Sequence, residues 1–443
     1  MTTIRWIDID VRQWVAHLNS VSDVSSLCEF LVEQGTFDFP TLPNGLFSAA
    51  AGHGDDFEVT GYANIWVRDN VHIAFAHDVT AFDPEKAIQC TKSLTQFFAT
   101  QRPRFRSIIE GRTSANEPMN RPHIRFNGSD LSELPEKWSH AQNDALGYFL
   151  WILCHQVMSG KIQSIEVDWN VAADLVRYWQ TIKVWSDEDS GHWEETRKIA
   201  ASSIGTALAG LKALETLVSK FPEVDAQLAS SPSAATISDI QSLIASCEVA
   251  LKTILPFECR QEDLARHRRY DSALLFLIYP LQIVDAITAD QIIADVTSNL
   301  EGEYGIRRYQ GDSYWCANYK QLLDASVRTS DFSDSLEQRD RLLIPGKEAQ
   351  WCIFDPILSC IFGQRYCKSG SPNDLIHQKH RLQRSLNQMT PAACRFPQFR
   401  CPESWYFENG SWGPNDITPL LWTQANLLQA LYWMERSLSA RHA

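Results

Sequence analysis

The chain has 443 residues, 44% of them hydrophobic and 21% charged, with no low-complexity tract, as expected of a folded globular protein with a large core. A formal net charge of −14 excludes the broad basic face that neutralises phosphates, and with it a nucleic-acid partner. No run of about 18 apolar residues occurs, so no membrane span is expected.

The N-terminal MTTIRWIDIDVRQWVAHLNS lacks a basic stretch followed by an apolar core, so no secretory signal is expected either. Eleven cysteines at irregular spacing include no Cys-x-x-Cys pair. Neither a zinc site nor a disulfide framework follows, and reduced thiols in a cytoplasmic protein are expected, with no metal and no cofactor. Fifteen Trp and 11% aromatics supply either core area or platforms on which sugar rings stack.

Along the chain, apolar residues at three- and four-residue spacing predict helices near 12–34, 70–80 and 85–100. A strong helix follows at 144–157, on Leu146, Phe149, Leu150, Leu153 and Val157. After 168–184 comes another, on Ile204, Ala207, Leu208, Leu211, Leu214 and Leu217, with Ser202-Ser203 as its start signal. Further helices are predicted near 236–253, 268–280, 289–300, 316–328, 347–363, 374–389 and 418–438. Short extended pieces are expected at 57–66, 121–126 and 305–309. No linker divides the chain, so residues 1–443 read as one domain, with 1–60 as a lead-in packed on the rest. No repeat of fixed period occurs, which favours a closed helical barrel over a solenoid.

Five polar-aromatic segments between helices are where chemistry is expected, because loops on a rigid scaffold carry sites. In Trp66-Val67-Arg68-Asp69, Arg and Asp read as a surface ion pair or as ligands for sugar hydroxyls. In Trp138-Ser139-His140-Ala141-Gln142-Asn143-Asp144, Asp144 reads as a helix cap and Trp138 as a stacking platform. Gly191-His192-Trp193-Glu194-Glu195 places two carboxylates beside a Trp ahead of a helix; helical geometry would turn only one of them to a given pocket. Arg307-Arg308-Tyr309-Gln310-Gly311-Asp312-Ser313-Tyr314-Trp315 again joins arginine, aromatic and carboxylate, or forms a solvated charged turn. Glu403-Ser404-Trp405 puts a carboxylate in a loop that no helical pattern explains, and Asp416-Ile417-Thr418 follows. Two carboxylates, Arg/Asp pairs and Trp platforms together are what glycoside hydrolysis needs.

With these segments in order, the chain from about residue 60 to 435 resembles glycoside hydrolase family 15, the glucoamylase-like family that extends to the α and β subunits of phosphorylase kinase. The resemblance implies an all-α fold, an (α/α)6 barrel with short β pieces in its loops. It implies a general acid at Glu194 and a general base at Glu403. Contacts to substrate would come from Arg68, Asp69, Trp138, Gln142, Trp193, Glu195, Arg308, Asp312 and Trp405. The expected partner is an α-glucoside or oligosaccharide, cleaved with inversion from its non-reducing end; homo-oligomerisation is left open. The stretches His140–Gly147 and Gly191–Glu194 read closer to the kinase subunits, and Pro402-Glu403-Ser404-Trp405 departs from the usual Ser-Glu-Gln-aromatic around the base. A regulatory protein that binds a glucan without cleaving it is therefore the second expectation.

Overall fold

The computed structural model describes residues 5–51, 61–263, 266–324, 327–328 and 339–440. Its helices are α1 Val21–Glu33, α2 Val67–Thr80, α3 Pro84–Thr100, α4 Arg102–Ile109, α5 Asn143–Met158, α6 Asn170–Ile182, α7 Ala201–Lys220, α8 Pro222–Ser230, α9 Ile237–Ile254, α10 Ala286–Asn299, α11 Phe354–Ser369, α12 Pro372–Asn387 and α13 Leu421–Ala440. They fall into two kinds. Helices α2, α5, α7, α11 and α13 are buried on nearly every side over long stretches; in α2 every residue from Val67 to Asp78 is buried. A helix covered all round must lie inside the fold. Helices α3, α6, α9 and α12 bury one stripe and solvate the other.

The inner segments close a ring. Helix α13 packs on α2, α2 on α5, α5 on α7, α7 on the 3-10 segment Ser272–Leu277, that segment on α11, and α11 on α13. Around them α1, α3, α6, α9, α10 and α12 form the outer layer, so the architecture is an (α/α)6 barrel. Helices α5 and α7 approach closely at Gly147 and Gly210: a Cβ on Gly147 would stand 2.5 Å from the Thr206 carbonyl carbon, and one on Gly210 2.9 Å from the Gly147 carbonyl oxygen. Among the described residues no helix is long and apolar enough to cross a membrane.

Several local expectations differ. The helix near 12–34 splits into a 3-10 stretch Val11–His17 and α1, because Ser20 and Asp23 form a capping box that starts a new helix. The sixth inner segment is 3-10 instead of α; Pro280, just beyond it, has no N–H to continue a helix. Of the helix expected at 316–328, only the turn Tyr319–Leu322 forms, and residues 325–326 lie outside the described set. The extended piece at 57–66 is described only from residue 61, with a strand at β1 Ile65–Trp66 paired to β2 Arg125–Phe126. Residues 305–309 form isolated bridges. A short hairpin, β3 Cys259–Arg260 with β4 His267–Arg268, leads into the 3-10 segment. A three-stranded sheet, β5 Gln350–Trp351, β6 Ser404–Glu408 and β7 Ser411–Pro414, was not expected and carries the last site segment.

Candidate active site

Four of the site segments converge because they precede or open the N-terminal end of an inner helix, while the Arg308 segment is bridged at Tyr309 to Asp271 and at Ile306 to Trp351. Trp66 closes the β1–β2 pairing and caps α2, whose first turn holds Arg68 and Asp69. Gln142 caps α5. The 3-10 turn Gly191–Trp193 precedes α7, Trp351 precedes α11, and Leu420 and Trp422 flank the start of α13. There they line a concave cavity of about 770 Å³, counted with its open mouth. Arg68, Asp69, Trp138, Trp193, Glu194, Arg308 and Glu403 all face it, as do Tyr62, Trp66, Tyr314, Arg339 and Trp351.

Glu194 reaches the cavity through its backbone. It ends the 3-10 turn in the left-handed conformation (φ 58°, ψ 47°), a strained state for a residue with a side chain and one that persists where the surrounding structure enforces it. Only Glu194 of the pair faces the cavity, as expected of one carboxylate of the two, but a left-handed residue and not a helical turn separates them. Glu194 Oε1 accepts from Trp66 Nε1 at 3.1 Å, Gln142 Nε2 at 3.2 Å and an Arg68 guanidinium nitrogen at 3.5 Å. Arg68 itself is held by Asp144 and by Gln142 Oε1.

Glu195 does not line the cavity. It is buried among Arg268, Arg308 and Arg339, at 3.1, 3.8 and 3.4 Å, and accepts from the Tyr309 hydroxyl. Burial opposes its charge, but these arginines with Lys198 hold the carboxyl down to about 2. Asp312 likewise stands away from the cavity and grips Arg308 with two hydrogen bonds of 2.6 Å. Arg308 is thereby held over the rings of Trp351 and Trp193, its guanidinium carbon 4.8 and 5.2 Å from their centroids. Trp193 is fixed by a 2.9 Å bond from its indole N–H to Asp271.

Glu403 stands on the bend ahead of β6, 2% exposed. Tyr62 donates to one of its oxygens at 2.7 Å and Asn415 to the other at 2.6 Å; Tyr62 also meets the Tyr314 hydroxyl at 2.8 Å. Burial raises the Glu403 carboxyl to about 7, with both hydrogen bonds and Arg308 pulling the other way. Burial also lifts Asp69 to about 7; Arg68 opposes this and Glu194 adds to it. Trp405 does not share the cavity. Because Glu403 precedes the strand, strand alternation does not turn the two side chains the same way. Trp405 stacks on Tyr304 with centroids 5.0 Å apart and donates to the Gln388 carbonyl, in a separate groove lined by Trp14 and Phe399. Sequence reasoning missed Tyr62, which carries no motif of its own, and Arg339, whose segment has no helical or glycine signal. Tyr314 lies in the fourth segment and was not singled out.

A family model, glycosyl hydrolases family 15, matches residues 40–347, which include Glu194 and stop short of Glu403. A probable phosphorylase b kinase regulatory subunit alpha of Caenorhabditis elegans is 28% identical over 353 residues, 73% of this chain and 26% of that one. The liver isoform from Oryctolagus cuniculus is 24% identical over 64% of this chain and 23% of its own length. The chain thus spans about a quarter of the length of these curated relatives. Among solved structures, a glycosidase superposes with TM-score 0.62 at 16% identity, over 97% of this chain and 99% of that one. The glucoamylase from Saccharomycopsis fibuligera gives 0.57 at 13%, over 93% and 96%. With more than half of its length matched by the family model, the chain belongs to glycoside hydrolase family 15, close to the phosphorylase kinase α/β subunit branch.

Proposed function

We propose that the chain is an inverting, exo-acting glycoside hydrolase that releases β-glucose from the non-reducing end of α-glucosides. The observation that carries the reading is that Glu194 and Glu403, far apart in sequence, line one cavity together with Arg68, Asp69 and Arg308. Glu194 is the acid. Its carboxyl is held by Trp66, Gln142 and Arg68 at Oε1, which orients the group that gives its proton to the glycosidic oxygen. Glu403 is the base, poised near neutrality by burial, which is where a general base works best. It draws a proton from water on the opposite face of the sugar, and inversion calls for a carboxyl separation of about 6.5–9.5 Å. Asp69 and the anchored Arg68 and Arg308 bind hydroxyls, and Trp138 and Trp193 supply apolar faces for the ring.

A second reading, a sugar-binding regulatory protein without turnover, is favoured by the names of the curated relatives. Proton NMR of the protein with maltotriose, isomaltotriose and trehalose separates the two. Early β-glucose supports inverting hydrolysis, early α-glucose contradicts it, and saturable binding with no glucose favours the regulatory reading.

A further inference from the structure

Arg125, which no motif singled out, is a buried cation without a hydrogen-bonded anion among the described residues. It ends β2 opposite Trp66 and is 7% exposed. Its Nε has no acceptor among the described residues. The carboxylates that act on it, Glu194 and Glu136, do so through space. What it touches is aromatic: its guanidinium carbon lies 4.2 Å from the Trp138 ring centroid and 4.9 Å from that of Trp66. Those two indoles meet edge to face at 6.0 Å. The chain leaves room for it at Gly61 (φ +76°), where any Cβ would collide with the guanidinium.

We propose that Arg125 is a positioning residue for the acid, clamping Trp66 and Trp138 into one rigid wall so that the Trp66 N–H is aimed at Glu194 Oε1. The inference rests on the reading of Glu194 as acid. A buried charge with no paired anion is unfavourable, and an apolar side chain of similar length is usually tolerated as well or better. A side chain that gives up stability in this way, next to a candidate acid, is what functional sites contain. Two effects follow. Cation–π contact fixes both ring planes, and the charge favours the ionised form of Glu194. Among the described residues, Glu194 also faces Arg68 and Asp69 from α2, Gln142 from the start of α5 and Trp66 from β1. Of these, Asp69 opposes the cations.

Arg125→Met and Arg125→Lys test this with three readouts: the thermal midpoint, the Glu194 titration, and the pH profile of kcat/KM. Carboxyl carbon-13 NMR follows Glu194, with Glu194→Gln as the assignment control. We expect Arg125→Met to fold with a midpoint no lower than the wild type. Its Glu194 should titrate roughly half a unit to one unit higher, the alkaline limb should move with it, and kcat should fall about tenfold. Arg125→Lys should restore the titration but not kcat, since an ammonium cannot lie flat between two indoles. A Glu194 titration moved by less than about 0.2 unit in Arg125→Met overturns the proposal. So does a lowered midpoint with unchanged kcat, which would mark a structural role. Should Arg125→Met not fold, Arg125→Gln is judged by the same titration. If the wild type cleaves no glucoside, the hydrolase reading fails, while the NMR titration still decides for or against Arg125.

Discussion

Glu403 and Glu195 make opposite statements about how a buried carboxylate is managed. Glu403 has two neutral donors and a pKa pushed up to about 7; Glu195 has three arginines and a pKa held down to about 2. Glu403→Gln removes the base and should reduce turnover about 10²–10⁴-fold. It should also stabilise the fold. The Gln oxygen can accept from Tyr62, and Asn415, whose Oδ1 has no partner, can turn its amide to accept from the new NH₂. Since the Glu403 pKa is raised, its ionisation destabilises the native state from about pH 4.5 up to 7 and constantly above. Urea denaturation should therefore show Glu403→Gln more stable by about 2–3 kcal/mol at pH 8 and equal to the wild type at pH 4. Equal stabilities at pH 8 would refute the burial argument. Glu195→Gln distinguishes the placement seen from the role expected. A direct sugar ligand would raise KM at constant stability. A counter-ion for Arg268, Arg308 and Arg339 should cost about 3–5 kcal/mol, because the arginines are left buried and underpaired.

At the scale of elements, the long inner helices were legible because burial on every side leaves dense apolar runs, as in Leu146 to Val157. The site segments were legible because each carries an unusual cluster of Trp, Arg and carboxylate. What escaped was decided by tertiary contact. Two- and five-residue strands such as β5 and β6 have too few positions for a period to register. The left-handed backbone that turns Glu194 into the cavity is a single residue, and the departure of Trp405 from the cavity depends on one bend ahead of a strand. Nothing local announces either. The Gly147–Gly210 approach is similar: two glycines within helical patterns read as weak points, yet they set the distance between α5 and α7. Gly147→Ala should improve helix propensity and still destabilise the fold by about 1–3 kcal/mol, because the colliding atoms are backbone and cannot rotate away. A urea midpoint at or above the wild-type value would show that the two helices can separate at no cost.

Over the whole molecule, the barrel buries titratable groups of both kinds, and their opposition fixes where it is most stable. Asp69, Asp189 and Glu403 are raised to about 7 and Glu258 to about 8, all mainly by burial. The unfolded chain releases these protons near pH 4 while the native state keeps them, so each lowers stability as pH climbs toward 7 or 8. His77 and His123 are lowered to about 4, His192 to about 3, and His72 and His140 well below the ordinary imidazole value, again by burial. Unfolded histidines take up protons below about pH 6.5, so these groups lower stability as pH falls. Between about pH 4.5 and 6.5 the two sets oppose each other. Above 6.5 the carboxyls alone titrate. Below 4.5 the loss of ionised Glu195 and Glu133, both held near 2 by arginine, joins the histidines. Stability by urea denaturation should therefore peak near pH 6 and decline in both directions. The alkaline decline should flatten in the double variant Asp69→Asn, Glu403→Gln, while the acid decline is unchanged. Stability that rises from pH 6.5 to 8 would mean that these carboxyls are already ionised in the native barrel, and the neutral-pH base assigned to Glu403 would go with it.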